Sequence, residues 1–579
     1  MPELVRLRFP PDEDPEELAP EELRLRVARA LRASPDRLGA VELRRISLDA
    51  RPDHFGWQVE AVAWGPDEGR PEPPPRPAPK PPRPGAPHVV VVGSGPAGLF
   101  AALDLARGGL RVTLLERGAE VQPRRRGLAV VNRGEGVDTE ANYAFGEGGA
   151  GTFSDGKLYT RSHKRGDVRA LLEELVAHGA PERILWSWRP HVGSNLLPKV
   201  VQALRETLLA WGADVRFRTR MVELLTEDEG DARRVVGVRL ADGAELAADA
   251  VVLAAGHSAP EALETVRRAG GRLAPKGFAM GVRVEHPQAW LDALQYRGAK
   301  DHLDLPPAFY ELSTRVDERS VYSFCMCPGG WIVPSQAAPG TLVVNGMSLA
   351  KRDSPFANSG IVVELLPKDW CGKRGWRWGW PEVLRRAAEL SDDPLLHAEV
   401  EDPRGGPPVR VAEGRLPVHP DLDPLFGCRI QRAVEVLAWH AGGGTGRAPA
   451  QRADLFVAER TPTEPDLLAT SFHPGLTPAP METVLPPGVV RRLRAAFVHF
   501  DRILPGFAGP EGQLVAPESR TSSPVRILRD RETREAEGLS GLWPVGEGAG
   551  HAGGIVSAAL DGRAAAAAVA ARLGAASRP

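Results

Sequence analysis

The stretch from residue 88 to residue 116 constrains this chain more than any other. Val89–Val92 is an apolar, β-branched run, which is typical of a buried parallel strand. Three glycines follow at G-x-G-x-x-G spacing: Gly93, Gly95 and Gly98. Residues 99–106 then predict a helix, and residues 111–115 predict a second strand that ends at Glu116. This order of elements predicts a dinucleotide-binding βαβ unit.

The glycines and the acidic residue each have a physical role in such a unit. The first glycine allows the tight turn, the second lets the backbone approach a pyrophosphate, and the third lets the helix pack close to the sheet. The helix N-terminus offers free N–H groups to the phosphates, and the carboxylate can accept hydrogen bonds from a ribose. We therefore predict dinucleotide contacts at Gly93, Ser94, Gly95, Pro96, Ala97, Gly98 and Glu116.

The length of the chain allows several domains, and its composition does not indicate a highly charged binding partner. The 579 residues suggest two to four domains, and the net charge of −2 asks for neither nucleic acid nor an anionic membrane. Four cysteines are too few for a disulfide scaffold and favour a reducing cytoplasm: Cys325, Cys327, Cys371 and Cys428. No apolar run approaches ~20 residues, and the N-terminus lacks a signal-peptide core. We expect a cytoplasmic protein without a membrane-spanning helix.

The first 65 residues predict a small domain of their own. Patterns in the order β-α-β-β occupy residues 4–9, 15–32, 41–49 and 57–64. Arginines on the predicted strands could contact RNA or an anionic ligand, although a solvated sheet face is the simpler explanation. Residues 66–87 are so rich in proline that they predict an extended linker rather than a packed core.

A second glycine-rich segment follows the dinucleotide unit. Five glycines lie between Gly146 and Gly156, and Phe145, Phe153 and Leu158 flank or interrupt them. A merely flexible linker would not carry these apolar side chains, so we predict a loop whose backbone lies on a flat cofactor. The predicted contacts and the adjacent catalytic candidate are Gly149, Ser154, Gly156 and Lys157.

Arginines near these two segments are further candidates for cofactor binding. Residues 124–126 are three consecutive arginines, which could reach a phosphate or only cap a loop. We take Arg117 and Arg126 as candidates, together with Val222 on a strand predicted at residues 215–223. Between them, helices are predicted at 169–178 and 196–211, and strands follow at 235–240 and 245–247.

Two distant segments resemble parts of FAD enzymes. Residues 250–258 resemble the Ala-Thr-Gly strand of flavoproteins with two dinucleotide-binding domains, in which small residues leave room for the cofactor. Residues 542–562 resemble the Gly-Asp motif, in which an acid bonds the ribityl chain and a helix N-terminus faces the flavin. Here the acid is Glu547, which is longer than aspartate but still an acceptor. The resemblance implies cofactor contacts at Ala255, Gly256, Gly546, Glu547, Gly554 and Ile555.

Residues 263–515 lie between these segments and predict an inserted, mainly antiparallel substrate domain. Its strands are predicted at residues 278–285, 321–333, 341–348 and 361–366, and its helices at 381–390, 430–440 and 489–500. The glycine-rich residues 441–446 follow a helix rather than a strand, so they do not predict a second dinucleotide site. NAD(P)H could therefore bind only transiently, or electrons come from another donor.

The inserted domain carries the thiol candidates. Two cysteines on one face of a strand could be a redox pair or a nucleophile beside the flavin, or simply small buried residues. Metal binding is not expected, because the sequence has no second cysteine pair at suitable spacing. The catalytic candidates are Cys325, Cys327 and Lys157.

Two arginines and several histidines complete the set of candidates. Arg520 and Arg526 could clamp a substrate carboxylate or phosphate, or belong to a solvated turn. Five histidines could act as acids by residue type, although a structural role is the simpler assumption: His163, His191, His257, His473 and His551.

Motifs along almost the whole chain resemble the bacterial FAD-dependent dehydrogenases, also called NAD(P)/FAD-dependent oxidoreductases, within the glutathione-reductase-like flavoproteins. They lie at residues 93–98, 145–158, 275–278, 322–330, 345–348, 518–526 and 546–555. More distantly, the layout resembles the hydroxylase-type branch of these flavoproteins, and residues 322–330 weakly resemble a strand of geranylgeranyl reductases. The resemblance implies an FAD-binding fold and redox chemistry, but it does not imply a substrate.

We therefore predict an α/β fold with a Rossmann-like FAD-binding domain over residues 88–262 and 516–579, the inserted domain over residues 263–515, and the small N-terminal α+β domain over residues 1–65. The predicted function is an FAD-dependent oxidoreductase that moves a hydride through flavin N5 to or from a small organic substrate. A flavin monooxygenase or a C=C reductase is one alternative. An RNA-associated or scaffold protein that uses FAD structurally is another.

Overall fold

The computed structural model describes residues 2–66, 68, 81–82, 84–159, 166–230, 232–301, 303–402 and 405–574. Most of the predicted linker over residues 66–87, and the candidate His163, lie outside the described residues.

The N-terminal unit is a three-stranded antiparallel sheet covered by one helix. Its elements are β1 (Glu3–Phe9), α1 (Pro20–Leu31), β2 (Val41–Asp49) and β3 (Gly56–Ala63), and the strand order is β1-β3-β2. Helix α1 begins with a proline and carries acidic residues in its first turn, both of which favour a helix start. Its buried residues Leu23, Val27 and Ala28 share an apolar core with Val5 and Ala61 of the sheet.

Strand β2 joins this unit to the rest of the chain. The Ile46 N–H donates to the Trp186 carbonyl at 2.7 Å, and the Trp188 N–H donates to the Ile46 carbonyl at 3.0 Å. An ion pair between Arg169 and Glu42 adds to this contact. The small sheet is therefore held in place by backbone as well as side-chain contacts.

The region after residue 87 alternates strands and helices around a parallel sheet. In chain order it contains β4 (His88–Val92), α2 (Pro96–Arg107), β5 (Arg111–Leu115), α3 (Val121–Asn132), α4 (Val168–Ala177), α5 (Leu197–Ala210), β6 (Asp214–Arg216), β7 (Met221–Glu229), β8 (Ala232–Leu240), β9 (Glu245–Ala247), β10 (Ala250–Leu253) and α6 (Pro260–Ala269).

The inserted region and the final segment supply the remaining elements. The inserted region contains β11 (Leu273–Pro275), β12 (Phe278–Pro287), α7 (Gln288–Tyr296), β13 (Ser313–Val316), β14 (Arg319–Cys327), β15 (Trp331–Pro334), β16 (Val344–Met347), β17 (Phe356–Leu365), α8 (Gly372–Trp378), α9 (Trp380–Leu390), β18 (Glu399–Val400), β19 (Val409–Arg410), α10 (Phe426–Ala441), β20 (Ala448–Arg452), α11 (Ala453–Val457), β21 (Leu476–Pro478), α12 (Pro487–Ile503) and β22 (Gln513–Glu518). The final segment contains β23 (Val525–Ile527), β24 (Leu539–Ser540), β25 (Leu542–Pro544) and α13 (Ile555–Arg572).

The parallel sheet brings the first and last segments of this region together. Its strand order is β25-β10-β4-β5-β6, and every neighbouring pair is parallel. Residues 89–91 of β4 are fully buried, as expected for a central parallel strand. A Cβ on Gly562 of α13 would lie 2.0 Å from the Ala97 carbonyl oxygen, so glycine allows α13 to pack tightly on α2. The predicted α/β fold with a parallel sheet is confirmed.

The inserted region is built on a seven-stranded sheet of order β13-β14-β17-β12-β22-β20-β21. Neighbouring strands are antiparallel, except that β20 and β21 are parallel. Helices α10 and α12 share a large apolar core with this sheet. Strand β22 runs across residue 515, the predicted end of the inserted domain, so one strand of this sheet leads directly into the final segment.

One predicted strand of the inserted region is divided in the structure. Residues 321–333 are not one strand, because β14 ends at Cys327 and β15 begins at Trp331. Gly329, at φ 51°, takes the left-handed conformation that the turn between them requires. The strand predicted at residues 215–223 is divided between β6 and β7, and the strand predicted at residues 250–258 ends at Leu253.

Within the described residues, every helix is too short or too polar to cross a lipid bilayer.

Candidate functional site

The turn after β4 is shaped by close backbone approaches. Gly93 has φ 103°, and a Cβ there would lie 2.4 Å from the Ala254 carbonyl oxygen. A Cβ on Gly98 would lie 1.8 Å from the Gly93 carbonyl oxygen. Any larger residue at either position would push β4, β10 and α2 apart. Helix α2 begins after Gly95 without a side-chain cap, so the N–H groups of its first turn are available to an anion.

Glu116 holds this turn in place. Its Oε2 accepts hydrogen bonds from the Ser94 N–H at 2.9 Å and the Ser94 hydroxyl at 2.8 Å. Its Oε1 accepts from the N–H groups of Gly118 at 2.9 Å and Gly146 at 3.0 Å. These four bonds use the acceptor positions of an ionised carboxylate. Contact between Glu116 and a ribose therefore stays a prediction, and its observed role is to fix the turn and the next glycine segment.

The glycine loop, residues 146–158, lies against the first turn and the last helix. The Gly148 N–H donates to the Ser94 carbonyl at 3.0 Å. A Cβ on Gly149 would lie 3.0 Å from the Cα of Gly95, and a Cβ on Gly151 would lie 3.1 Å from the Ile555 side chain. The dense glycines therefore allow backbone to pack on backbone at the edge of the parallel sheet.

Two predicted contacts in the loop are used within the protein. The Ser154 hydroxyl donates to the Gly151 carbonyl at 2.7 Å. Gly156, at φ 68°, packs so closely on Gly193 that a Cβ would lie 2.9 Å from the Gly193 nitrogen. Both residues shape the loop, and cofactor contact at either stays a prediction.

Of the three consecutive arginines, Arg124 is the one that binds the backbone before the glycine loop and at its start. The Arg124 side chain is fully buried, and burial lowers its pKa to about 10. Its guanidinium donates to three backbone carbonyls, those of Asn142, Tyr143 and Glu147, at 2.8–3.0 Å. The loop-capping interpretation therefore holds, but at Arg124. Arg126 lies on the exposed face of α3, and its contact with a cofactor phosphate stays a prediction.

Two other predicted cofactor residues, Arg117 and Val222, have contacts within the protein. Arg117 forms ion pairs with Glu140, at 2.9 Å, and with Glu261, so its charge is already compensated. Val222 is exposed at an irregularity of β7, and its carbonyl accepts from the Thr265 hydroxyl at 3.4 Å. Cofactor contact at either residue stays a prediction.

The carboxyl ends of β10 and β25 border open space. A Cβ on Gly256 or on Gly554 would meet no atom within 4 Å. Glu547 is partly buried there, and among the described residues its carboxylate has a 3.8 Å contact with His257 Nδ1 but no hydrogen bond. Burial raises the pKa of Glu547 to about 7. Helix α13 begins at Ile555 without a side-chain cap. An acceptor and a helix N-terminus thus face the same opening, next to Ala255 and Gly546.

Lys157, Cys325 and Cys327 lie together, and we call them, with Asp155, the thiol cluster. The Lys157 Nζ is 3.4 Å from the Cys325 Sγ, 3.5 Å from the Cys327 Sγ and 3.4 Å from Asp155 Oδ2. Cys325 has φ 48° and lies where the pairing of β14 with β17 is interrupted. This irregularity lets two nearby side chains of one strand contact a single amine. The three catalytic candidates are therefore neighbours, while their role stays a prediction.

The surroundings of the thiol cluster shift the pKa values of the two cysteines in opposite directions. A hydrogen bond from Cys327, with the charges of Lys157 and Arg283, holds the pKa of Cys325 well below its ordinary value despite burial. The same hydrogen bond and burial raise the pKa of Cys327 well above its ordinary value. Burial would lower the pKa of Lys157, but Asp155 and the thiols outweigh it and raise that pKa. These opposite shifts in pKa mean that Cys325 loses its proton more readily than Cys327, next to a charged Lys157.

A buried ion pair that the sequence did not reveal lies beside this cluster. The fully buried Arg283 donates to Glu518 at 2.8 Å and lies 3.3 Å from the Cys325 carbonyl oxygen. It also contacts the Asn358 side chain. Burial raises the pKa of Glu518 to about 7, although the Arg283 charge opposes this. An arginine within the apolar strand at residues 278–285 was the signal that could have identified the pair.

The two predicted substrate arginines do not form a free clamp. Arg520 is bidentate to the buried Glu435, with both distances 2.7 Å. Arg526 is exposed and donates to the Gly550 carbonyl at 3.3 Å. Glu435 already accepts hydrogen bonds from Nε and Nη2 of Arg520, so the charge of this arginine is compensated, and substrate contact at either arginine stays a prediction.

The described histidines are poor candidates for acids. Burial lowers the pKa of His191, His257 and His551 to about 4, so all three are neutral near pH 7. The His551 Nε2 lies 2.9 Å from the Ile527 carbonyl oxygen and the His191 Nε2 lies 3.2 Å from the Ala350 carbonyl oxygen. His473 is exposed.

Two family profiles match most of the chain. The family described as "FAD dependent oxidoreductase" matches residues 88–310, and that described as "FAD-dependent protein, C-terminal domain-like" matches residues 277–377 and 410–521. An uncharacterized protein of Clostridium beijerinckii is 36% identical over 82% of this chain and 79% of its own. The rifampicin monooxygenase of Streptomyces venezuelae is 32% identical over 72% of this chain and 76% of its own.

Two further likenesses are partial. The tRNA 5-methylaminomethyl-2-thiouridine biosynthesis bifunctional protein MnmC of Chromohalobacter salexigens is 29% identical over 72% of this chain and 60% of its own. The solved structure of CtdE in complex with FAD is 15% identical over 48% of this chain and 59% of its own, with a TM-score of 0.23. On the family profiles and the two relatives above 30% identity, the chain belongs to the FAD-dependent oxidoreductases, and FAD is its cofactor.

Proposed function

We propose that this protein is a flavin-dependent dehydrogenase or reductase that moves a hydride between flavin N5 and a small organic molecule. FAD, when bound, supplies the two-electron acceptor or donor at N5. We assign its binding to residues 88–262 and 516–579 and the substrate to the face that residues 263–515 contribute. Four free cysteines within the described residues support a reducing, cytoplasmic location.

The residues at the edge of the parallel sheet fit FAD. The uncapped N-terminus of α2 at Gly95 suits the pyrophosphate, and the half-buried Glu547 suits the ribityl hydroxyls because its carboxylate accepts no hydrogen bond among the described residues. The uncapped N-terminus of α13 suits the electron-rich edge of the flavin ring. The open space at Gly256 and Gly554 supports this fit.

One observation carries the proposed reaction face: Lys157 links the glycine loop to the two thiols of the inserted sheet. Its ammonium lies 3.4–3.5 Å from both sulfurs, where the loop against the cofactor edge meets β14. Lys157 can orient an anionic or carbonyl group of a substrate, and Cys327 can hold a proton.

An anaerobic titration of the purified protein with NADPH, then NADH, tests this proposal through the visible flavin band. Bleaching by either would identify a nicotinamide-linked reductase that binds NAD(P)H transiently. Bleaching by an organic donor, but not by nicotinamides, would identify a dehydrogenase. If no donor class bleaches bound flavin, the proposal is wrong.

The similarity to rifampicin monooxygenase supports flavin monooxygenation as the second candidate. In that case oxygen consumption with NAD(P)H would require an aromatic substrate, and one oxygen atom would enter the product. Fast flavin reduction without any substrate-dependent oxygen uptake would exclude it.

The role of residues 1–64 is tested by deleting residues 1–86. The contacts of Ile46 with Trp186 and Trp188 couple this unit to the larger one. Loss of flavin reduction would tie the unit to the reaction. Unchanged reduction with loss of a bound RNA or protein would support the recognition role.

A further inference from the structure

The two cysteines of the thiol cluster differ in exposure as well as in charge. Cys325 is partly exposed, whereas Cys327 is fully buried. The Cys327 Sγ lies 3.3 Å from the Cys325 carbonyl oxygen, so the later side chain reaches back along the strand toward the earlier residue. An accessible thiolate with a buried thiol behind it is the arrangement of an attacking and a resolving cysteine.

The backbone at Cys325 departs from that of a regular strand. Alternate residues of a strand point to the same face, but a disulfide requires its two Cβ atoms to be about 3.5–4.5 Å apart. At Cys325 the backbone is left-handed, with φ 48°, and the pairing of β14 is interrupted between Phe324 and Cys327. A non-glycine residue in that conformation costs free energy, which is typical of functional positions. Both sulfurs lie close to the Lys157 ammonium nitrogen, at 3.4 Å and 3.5 Å.

We propose that Cys325 and Cys327 form a reversible disulfide, which makes the thiol cluster a two-electron site for a disulfide or thiol substrate. This inference names a substrate class for the proposed oxidoreductase function and rests on it. The other two cysteines serve no such purpose, because burial raises the pKa of Cys371 and Cys428 to about 12.

The reaction balances with a disulfide as the oxidant. The Cys325 thiolate attacks one sulfur of R–S–S–R, a new S–S bond forms, and one R–S⁻ leaves. Cys327 loses its proton and attacks the Cys325 sulfur, the internal S–S bond forms, and the second R–S⁻ leaves and takes the proton. The substrate gains two electrons and becomes R–S⁻ and R–SH, while the cysteine pair becomes a disulfide. Two equivalents of a thiol reverse the exchange.

Lys157 has a positioning role in this scheme. Its ammonium stabilises the attacking thiolate, together with Arg283, while Asp155 holds the ammonium in place and Glu518 pairs with the guanidinium. Lys157→Met should therefore slow the alkylation of Cys325 by iodoacetamide. If the thiol pKa rises by about one unit, the thiolate fraction and the rate fall about tenfold below that pKa. Lys199→Met, at an exposed lysine of α5, is the matched control and should not change the rate.

The test exposes the FAD-loaded protein to oxidised glutathione, blocks free thiols in acid and maps the peptides by mass spectrometry. In the wild type we expect an internal bridge between Cys325 and Cys327, with Cys371 and Cys428 still reduced. Cys327→Ser should stop at a glutathione adduct on Cys325, and Cys325→Ser should form neither product. A wild-type protein that keeps the glutathione adduct, or whose Cys325 reacts no faster than Cys371, overturns the proposal.

The bridge and the proposed function can fail independently. The bridge is measured by mass in protein that is not turning over, whereas the proposed function is measured by the flavin band. Absence of the bridge refutes the dithiol site, whichever donor bleaches the flavin. Failure of every donor to bleach the flavin refutes the proposed function, whatever the thiols do.

Discussion

Replacing Glu547 by glutamine should change stability and cofactor binding in opposite directions. In the cofactor-free protein the Glu547 carboxylate is partly buried without a hydrogen bond among the described residues, and burial raises its pKa to about 7. Its ionised form is therefore disfavoured in the folded state. If its carboxylate binds FAD hydroxyls as we propose, the same charge strengthens the holoprotein.

The size and sign of the effect follow from the pKa. A pKa of about 7 against 4.5 in the unfolded chain means that the folded state retains a proton that the unfolded state has lost. The stability that the protonated group contributes is complete below about pH 4.5, falls as pH rises and is lost above about pH 7. With 1.36 kcal/mol per unit, Glu547→Gln should stabilise the cofactor-free protein by up to about 3 kcal/mol at pH 8 and by almost nothing at pH 4.5.

Glu435→Gln is the matched control because its carboxylate is buried but paired. Arg520 is bidentate to Glu435 and the Ser519 hydroxyl donates to it at 2.9 Å, so their charges and bonds hold its pKa below the ordinary value despite burial. Its amide variant should destabilise the protein at pH 8 by about 3 kcal/mol, since it leaves a buried guanidinium without its counter-ion. The cost should shrink as the pH falls through the pKa of the folded carboxyl.

Urea unfolding of the cofactor-free variants at pH 5 and pH 8, with FAD titrations followed by fluorescence, measures both effects. We expect Glu547→Gln to bind FAD about tenfold more weakly, because a neutral acceptor bonds a hydroxyl less strongly than a carboxylate. The reasoning is refuted if Glu547→Gln destabilises the cofactor-free protein at pH 8, or if its stability depends on pH as the wild type does. Unchanged FAD affinity would refute the proposed ribityl contact alone.

Two further pairs of variants test the backbone geometry. Gly98→Ala should abolish FAD binding and lower the melting temperature, because its Cβ would lie 1.8 Å from the Gly93 carbonyl oxygen. Gly109→Ala is the control: with φ 82° and no atom within 4 Å of its Cβ, it should cost only about 1 kcal/mol of strain. Equal effects of the two variants would contradict this prediction. Arg124→Met should destabilise the protein by about 3 kcal/mol, since three buried carbonyls lose their donor. Arg126→Met, on the exposed face of α3, should be nearly neutral in the same unfolding assay. The reverse order would show that Arg124 is not the arginine that holds the glycine loop.

The local parts of the cofactor edge could be predicted from the sequence. The spacing of Gly93 and Gly98 encodes contacts within one strand, turn and helix, so its consequences are short-range. The meeting of β4, β10 and β25 was implied only by the resemblance of residues 250–258 and 542–562 to segments of FAD enzymes. The arginine run could also have been resolved: in α3 the buried residues are Val121, Arg124, Leu128 and Val131, and that spacing places Arg124 on the inner face.

The long-range pairs could not be predicted from one sequence. Arg520 reads as a free clamp until its partner Glu435 is known, and that partner lies on α10, 85 residues earlier. Arg283 and Glu518 are separated by 235 residues, and only the pairing of β12 with β22 brings them together. Which charges are compensated is decided by sheet order, and sheet order is not encoded in local spacing.

Strand β22 leads from the thiol cluster toward the segment that carries Glu547. Its last residue, Glu518, pairs with Arg283 beside the thiols. Only a few residues later the chain reaches β23, where the Ile527 N–H donates to the Ala549 carbonyl at 3.1 Å, two residues after Glu547. The glycine loop contacts the β4 turn through the Gly148 N–H and carries Lys157 near its end. Two segments therefore connect the thiol cluster with the residues around Glu547 along the chain, and we expect Lys157→Met to change the flavin absorption spectrum if the two lie in one site.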